Sequence, residues 1–222
     1  MKVQSRKRVS YSWEDANRLA EHVRKMDGLG DYRREQYATL ILLASASGLR
    51  CSELLALRLD DLDFQANTIV VEEASDQRTA GNIAECKNEA AYRTVLLADA
   101  EGNKAMESLK QFLGNAMDSR ALVFRSQRGG PLLETTILNQ CLYPALKALG
   151  LPRGGFHAFR RGCNRRWELA GLNPAVQRQQ MGRASATMTR LYSGEIPLAD
   201  VTAACSKAFG RQLEILETEA VA

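Results

Sequence analysis

The sequence lacks the long hydrophobic run of a membrane-spanning helix. Its longest largely apolar stretch, residues 37–49, has thirteen residues and is interrupted by Thr39, Ser45 and Ser47, whereas a helix that spans a bilayer needs about 20 apolar residues. The basic N-terminus, residues 1–10, is not followed by the apolar segment of a secretory signal. We therefore expect a chain that has no membrane partner and stays in the cytoplasm.

Residues that hold metals or form disulfides are also scarce. There are two histidines, and the cysteines are scattered without a Cys-x-x-Cys pair, at Cys51, Cys86, Cys141, Cys163 and Cys205. Five scattered cysteines argue against a disulfide framework and against a zinc site. Neither a P-loop nor a Gly-x-Ser-x-Gly motif occurs. The sequence therefore predicts a protein of a reducing cytosol that uses no metal and no cofactor.

What the chain has is an ordinary globular composition with an uneven distribution of charge. It is 222 residues long, 45% hydrophobic and 25% charged, with a net charge of +4, and these values fit one folded domain. Residues 153–190 contain eight arginines and no lysine, with Glu168 as the one acid. Such a run is often a solvated helix face. The near absence of compensating acids favours a polyanion partner instead.

Hydrophobic periodicity predicts a mostly helical α+β chain with a small antiparallel sheet between its halves. Ser12 and Asn173-Pro174 are start signals for helices, and Gly48 is a stop signal. The predicted helices cover residues 13–26, 33–47, 52–59, 100–113, 134–149, 157–170, 174–181, 185–191 and 198–217. The three predicted strands cover residues 68–74, 83–87 and 92–97.

The residues that suggest chemistry lie in the arginine-rich half. His157 and Arg160 are three apart on a predicted helix, so both lie on one face and can address one anion. A lone His-x-x-Arg pair is weak evidence. Downstream, however, come a capped helix, Gly182-Arg183 and, nine residues after Arg183, Tyr192. The order and spacing of these residues make the pair informative.

This set resembles the catalytic domain of the tyrosine recombinases, the phage integrase family of site-specific DNA recombinases. The resemblance extends over residues 48–194 and includes the segments Ser-Gly-Leu-Arg-Cys-Ser-Glu-Leu-Leu-Ala-Leu and Glu-Cys-Lys-Asn-Glu. It implies the fold of that domain and strand cleavage and rejoining through a 3′-phosphotyrosyl intermediate, without metal or ATP. The catalytic set that it implies is Arg50, Lys87, His157, Arg160, Arg183 and Tyr192.

The chemistry explains why these residue types are needed. Attack on a phosphodiester builds negative charge, which the guanidinium groups of Arg50 and Arg160 would bind through fixed donors. Tyr192 would be the nucleophile, and His157 would assist loss of the phenolic proton, whose unperturbed pKa is about 10. Lys87 would protonate the departing 5′ oxygen, because an ammonium can give up a proton and a guanidinium essentially cannot.

Two features depart from the family pattern. Arg183 stands where most members have histidine or tryptophan, and it can donate hydrogen bonds to phosphate but cannot exchange a proton near neutral pH. In addition, only about thirty residues precede the helix that leads to Arg50. We therefore expect residues 1–222 to form a single catalytic domain, with a basic tail at 1–10 and without the family's core-binding domain.

The predicted partner is double-stranded DNA, on which the chain would self-associate from dimer to tetramer as a bacterial or phage-encoded, nucleoid-associated protein. Further DNA contacts are predicted for Arg161, Arg165, Arg178 and Arg190. The helix at 198–217 has an apolar stripe, which would pack on its own domain or, as the resemblance implies, on a neighbouring protomer. Gly210 could interrupt that helix.

Two other functions stay open at this point. A type IB topoisomerase would use the same chemistry to relax supercoils without a joint product, although residues 48–53 and 182–192 are more typical of a recombinase. Alternatively, the chain is a DNA-binding module with weakened catalysis, of which Arg183 would be one sign.

Overall fold

The computed structural model describes residues 8–78, 82–85, 92–114, 118–182 and 196–210. Its helices are α1 (Trp13–Arg24), α2 (Asp31–Ser47), α3 (Cys51–Leu54), α4 (Ala100–Leu113), α5 (Glu134–Ile137), α6 (Tyr143–Ala148), α7 (Phe156–Leu169), α8 (Pro174–Gln180) and α9 (Leu198–Phe209). Its strands are β1 (Leu62–Asp63), β2 (Thr68–Val71), β3 (Glu73–Asp76), β4 (Asn82–Glu85) and β5 (Arg93–Leu96). The mostly helical α+β fold class is confirmed. Within these ranges, no helix combines the length and the apolar character that crossing a membrane would require.

The start of α1 and the end of α2 lie where the sequence predicts, while α1 ends and α2 begins two residues earlier than predicted. The Ser12 hydroxyl accepts a hydrogen bond from the Asp15 backbone N–H at 3.0 Å, and the Asp15 carboxylate accepts one from the Ser12 N–H at 2.9 Å. This reciprocal capping box starts α1. The buried helix α2 ends at Gly48, whose φ of 64° is the left-handed conformation that favours glycine. That turn leads the chain from α2 to Arg50.

The strands form two sheets. One is three-stranded and antiparallel with the order β1-β2-β5, and the other pairs β3 with β4. The described part of the strand predicted at 83–87, residues 83–85, therefore lies in the second sheet, where β4 pairs with β3. The register gives the reason: Val71, the last residue of β2, pairs with Arg93, the first residue of β5. Strand β2 ends at that pair, and the chain continues into β3, which pairs with β4 in the second sheet.

Two apolar clusters hold the molecule together. The cluster that we call the main core joins α1, α2, α4, α6 and the first turn of α7 around side chains such as Leu40 and Leu43. The smaller cluster, the minor core, joins the end of α7 with α8 and α9 around Trp167. Alternate residues of a strand face opposite sides, and β5 serves both clusters, with Val95 in the main core and Leu96 in the minor core.

Three helices differ more strongly from the prediction. Helix α3 ends at Leu54, before the predicted end at residue 59. A π-helical turn, Leu138–Leu142, lies between α5 and α6 inside the helix predicted at 134–149. Helix α9 ends at Phe209, before the predicted end at residue 217, because Gly210 leaves the helix with a φ of 66°. The helix predicted at 185–191 lies outside the described residues.

The described part of the predicted N-terminal tail, residues 8–10, is held against α7. The Val9 carbonyl accepts a hydrogen bond from Nε of Arg161 at 2.6 Å, and the Tyr11 N–H donates to the Ala158 carbonyl at 3.2 Å. A Cβ at position 162 would lie 1.8 Å from the Tyr11 carbonyl oxygen. Gly162 therefore allows the backbone of the N-terminal segment to approach α7 closely.

Candidate active site

Arg160 joins two loops at the boundary between the main and minor cores. Its Nη1 donates a hydrogen bond to the Gly48 carbonyl at 2.6 Å, and its Nη2 donates to the Met181 carbonyl. Arg160 is 5% exposed. Since Gly48 precedes the loop to Arg50 and Met181 precedes Gly182, this one guanidinium fixes the turn after α2 relative to the end of α8.

Glu53 is the buried anion of this site. Its side chain is 2% exposed and pairs with Nη1 of Arg50 at 2.6 Å and with Nη2 of Arg93 at 2.9 Å. It also accepts the Arg50 backbone N–H at 2.8 Å. Burial alone would raise the pKa of the Glu53 carboxyl, but the hydrogen bonds and charges of Arg93 and Arg50 outweigh it and hold that pKa below its usual value. The carboxylate therefore stays ionised and orients both arginines.

The two arginines that share Glu53 differ in exposure. The Arg93 side chain is 1% exposed, whereas that of Arg50 is 37% exposed. Arg93 donates from Nε to the Gln180 carbonyl at 2.9 Å, and Arg50 donates from Nη2 to the Gly182 carbonyl at 2.9 Å. Arg93 is thus an internal brace. Arg50 is anchored by the same carboxylate but presents part of its guanidinium to the surface.

Gly182 is packed directly against these guanidinium groups. A Cβ at this position would lie 2.7 Å from Nη1 of Arg93 and 3.2 Å from Nη1 of Arg50, and the φ of Gly182 is 58°. Both the contact and the left-handed backbone favour glycine. The glycine that the sequence places just before Arg183 therefore allows the loop to lie against two arginines.

The rest of the predicted catalytic set and Arg190 fall into two groups. His157 lies exposed in the first turn of α7, one turn before the buried Arg160. Four residues, Lys87, Arg183, Arg190 and Tyr192, lie outside the described residues, as does the loop between β4 and β5 on which Lys87 is placed by its sequence position. Within the described part, the structure therefore brings together Arg50 and Arg160 of the predicted catalytic set.

Several arginines of the run at 153–190 have internal partners. Arg166 pairs with the Asp99 carboxylate at 2.9 Å and donates to the Ser45 and Ala46 carbonyls at the end of α2. The Arg153 guanidinium lies 3.9 Å from the centre of the Tyr143 ring, a cation–π contact. Part of this positive charge is therefore used to hold the fold, through partners that are distant in sequence.

The cysteines beside the site are buried, with Cys163 hydrogen-bonded to the Ala46 carbonyl at 3.2 Å. Burial raises the pKa of the Cys163 thiol to about 12 and raises that of Cys51 as well. A thiol that does not ionise is a poor nucleophile. These residues therefore act as small packing groups.

Sequence reasoning missed Glu53 and Arg93. The segment Arg-Cys-Ser-Glu does carry a signal, because Glu53 stands three residues after Arg50, at the spacing of a capping box. Arg93 carries a weaker one, as a charged residue at the start of the apolar strand that contains Val95 and Leu96. Their pairing across 40 residues of sequence is visible only in three dimensions.

Comparison of the sequence with models of protein families shows to which family this chain belongs. The model described as "Phage integrase family" matches residues 13–195, which is most of the chain. The chain belongs to the phage integrase family. Site-specific DNA recombination, the predicted function, is confirmed at the level of this family. No curated protein matches the sequence.

Solved structures of phage integrase relatives share the fold. A fragment of the Tn1549 transposon integrase in complex with circular intermediate DNA has a TM-score of 0.66 and 22% identity, over 91% of this chain and 68% of that one. XerA recombinase has a TM-score of 0.62 and 21% identity, over 90% and 63%. A lambda integrase dimer bound to a COC′ core site has a TM-score of 0.51 and 19% identity, over 98% and 65%. At these identities the likeness shows the fold.

Proposed function

We propose that this chain cleaves and rejoins double-stranded DNA through a covalent bond to Tyr192. The phenolic oxygen attacks a phosphodiester, and its bond to phosphorus forms as the bond from phosphorus to the 5′ oxygen breaks. Tyr192 loses its proton, and the departing 5′ oxygen gains one. The product is a 3′-phosphotyrosyl link and a free 5′ hydroxyl. Because the phosphoester is retained, a second 5′ hydroxyl can reverse the step and rejoin the strands.

The convergence of two arginines on Met181 and Gly182, the last described residues before Tyr192 in the sequence, carries this proposal. Arg50 donates to the Gly182 carbonyl at 2.9 Å, and Arg160 donates to the neighbouring Met181 carbonyl. Tyr192 follows Gly182 by ten residues. Prearranged cations stabilise the charge that develops on a phosphoryl group without reorganising during the reaction. Arg50, which Glu53 holds and which is partly exposed, is suited to contact the phosphate.

The remaining roles follow from the chemistry of each group. His157, exposed at the start of α7, assists proton loss from Tyr192. Lys87 donates the proton to the 5′ oxygen, because it is the ammonium of the set. Arg183 adds a hydrogen-bond donor to a phosphate oxygen. Since a guanidinium does not exchange protons near neutral pH, we expect slower turnover than a histidine would allow.

Contacts to the DNA backbone are proposed for the outward arginines. Arg165 is exposed on α7 and Arg178 is half-buried on α8, and both can reach phosphates that flank the site. Arg161 already donates to the Val9 carbonyl, so its expected share of DNA binding is smaller. Arg190 completes the proposed set.

Self-association on DNA is part of the same proposal. Helix α9 buries Val201 and Cys205 in the minor core of its own domain, while Leu198 at its start is 46% exposed. In this proposal Leu198 contacts a second protomer, while the buried side of α9 stays in its own domain. A lambda integrase relative is a dimer on its core site, and sedimentation with and without DNA would test for the same behaviour here.

A nicked suicide substrate that carries the protein's own site tests the function. The short fragment released by cleavage diffuses away, so an SDS-resistant protein–DNA adduct accumulates. We expect the adduct with wild type and its complete loss with Tyr192→Phe, while DNA binding is retained. An adduct with Tyr192→Phe would show that another residue is the nucleophile.

The same assay separates the alternatives. Binding without any adduct in wild type would indicate a DNA-binding module that has lost catalysis, for which the arginine at position 183 is the favouring observation. Adduct formation together with supercoil relaxation, but without joint products, would indicate topoisomerase activity. Strand exchange between two copies of the site supports the recombinase.

A further inference from the structure

Helix α8 carries three glutamines whose side chains each bind a different part of the chain. Gln177 donates to the Asn164 carbonyl of α7 at 2.8 Å. Gln180 accepts the Leu96 N–H at 2.8 Å and donates to the Thr94 carbonyl at 3.1 Å. These two glutamines fix α8 against α7 and β5. The third, Gln179, binds a residue that follows α8 in the sequence.

Gln179 makes a two-point hydrogen bond with the backbone of a single residue, Ile196. Its Oε1 accepts the Ile196 N–H at 2.9 Å, and its Nε2 donates to the Ile196 carbonyl at 3.0 Å. A primary amide can pair with a peptide group in this way because it carries both a donor and an acceptor. Ile196 also packs against the minor core, and Pro197 next to it caps the start of α9.

The position of Ile196 gives this contact its importance. Tyr192 precedes Ile196 by four residues and follows Gly182 by ten. At a maximum of about 3.6 Å per residue, four residues span at most about 14 Å, whereas ten residues span about 36 Å. The anchor at Ile196 therefore restricts the reach of Tyr192 far more than the anchor at Gly182. Gln179, which holds Ile196, lies in the last turn of α8, and Gly182 follows the end of that helix by two residues.

We propose that Gln179 is a positioning residue, which holds the chain at Ile196 so that Tyr192 stays within reach of the Arg50 and Arg160 site of its own protomer. This inference rests on the function proposed above. An attacking group that is kept close and oriented reacts faster, and a misplacement of about 1 Å can lower a rate about 100-fold. In this role Gln179 acts through the backbone of Ile196.

Single-turnover adduct formation at saturating suicide substrate tests this role. Gln179→Met keeps the length of the side chain and removes both hydrogen bonds. We expect adduct formation to slow by about 10- to 100-fold, with DNA affinity within about twofold of wild type. Gln111→Met, the same change on the exposed face of α4, is the matched control and should react at the wild-type rate.

A substrate with sulfur in place of the bridging 5′ oxygen separates positioning from proton transfer. A thiolate leaves without being protonated, because thiols are far more acidic than alcohols. Lys87→Ala, which lacks the proposed general acid, should therefore recover on this substrate. Gln179→Met should remain slow by the same factor, since its defect lies in the nucleophile. A defect of Gln179→Met that sulfur relieves would overturn the proposal.

The outcomes are distinguishable from failure of the proposed function. Adduct formation at the wild-type rate in Gln179→Met disproves the positioning role, while loss of the adduct in Tyr192→Phe still supports the nucleophile. Absence of an adduct in wild type removes the function and the inference together. If Gln179→Met does not fold, Gln179→Glu keeps the acceptor for the Ile196 N–H and replaces the donor by a carboxylate oxygen, which repels the Ile196 carbonyl. Slower adduct formation is again expected, and a wild-type rate disproves the role.

Discussion

The main core and the minor core are built in different ways. The main core fills the space between long helices with fully buried aliphatic side chains, among them Leu40 and Leu43. Among the described residues, the minor core has fewer apolar members, and side-chain amides of α8 supplement it through bonds to β5 and Ile196. Apolar burial depends on area, whereas hydrogen bonds depend on geometry. The minor core is therefore the half whose placement is more sensitive to a small change.

The proposed site lies between these two halves. Arg160 bonds to the turn at Gly48 on one side and to Met181 on the other, and Glu53 with Arg93 bridges the same boundary. Segments of low local stability are common where proteins move during function. We expect the minor core, which carries the loop to Tyr192, to open before the main core. The following changes test this difference, from the largest expected effect to the smallest.

Arg93→Met should give the largest loss of stability, because it leaves the buried Glu53 carboxylate with Arg50 as its one described cationic partner. Removing one partner of a buried ion pair costs about 3–5 kcal/mol. Urea unfolding measures the free energy. The matched control is Arg24→Met, which breaks the partly exposed pair with Glu35 in the main-core half and should cost less than about 1 kcal/mol. Equal losses would contradict the importance of the buried boundary.

The pH dependence of the same variant gives a second test. The pKa of Glu53 is lowered in the folded protein, so its ionised form stabilises the fold above the unfolded-state pKa of about 4.3. This contribution is lost as the pH falls through the lower, folded-state pKa. Arg93→Met reduces the stabilisation that ionised Glu53 provides. The difference in unfolding free energy between variant and wild type should therefore become smaller below about pH 4.

Leu43→Ala and Leu172→Ala compare the two cores directly, since both leucines are almost fully buried. Such truncations cost about 2–5 kcal/mol, depending on how far the surroundings collapse into the cavity. We expect Leu43 near the upper end of this range and Leu172 near the lower end. Denaturant titration measures both. A larger loss for Leu172 would mean that the minor core is the more rigid one.

Gln180→Met should cost about 1–3 kcal/mol, because it leaves the Leu96 N–H and the Thr94 carbonyl without the bonds that Gln180 provides. The effect should concentrate in the minor core. Hydrogen exchange should therefore accelerate at the Leu96 amide while amides in the middle of α2 keep their protection. Uniform acceleration across both cores would show that they unfold as one unit.

Asp61→Asn should have the smallest effect, and it should be stabilising. Asp61 lies in a groove with Asp60, Glu72 and Glu73, and burial together with these carboxylates raises the pKa of Asp61 to about 6. The wild-type charge is therefore unfavourable above pH 6, and the advantage of asparagine should fade as the pH falls to about 4. A rise of about 2–4 °C in Tm at pH 7 corresponds to about 1 kcal/mol. A fall in Tm would show that the carboxylate stabilises the fold.

The local features of the fold could be predicted because their causes are local. Ser12 caps α1, Gly48 ends α2 and Asn173-Pro174 starts α8 as predicted, since each depends on neighbours within a few residues. The strands predicted at 83–87 and 92–97 correspond to β4 and β5, whereas the one predicted at 68–74 is divided between β2 and β3, which lie in different sheets. That division follows from the register of β2 against β5, which the pattern of one strand does not contain.

The sequence by itself determined the family and the proposed reaction, because Arg50, His157, Arg160 and Tyr192 are residue types that the chemistry requires, in a recognisable order. Only the tertiary structure decided which arginines bind internal partners. Arg93 and Arg160 are buried braces, and Arg50 is held by Glu53 yet partly exposed. The charge and the spacing of residues can be read from the sequence, but the burial of a side chain depends on which other segments of the chain cover it. For that reason a run of arginines predicts an anion-binding surface, and the fold then assigns each arginine to a brace or to the surface.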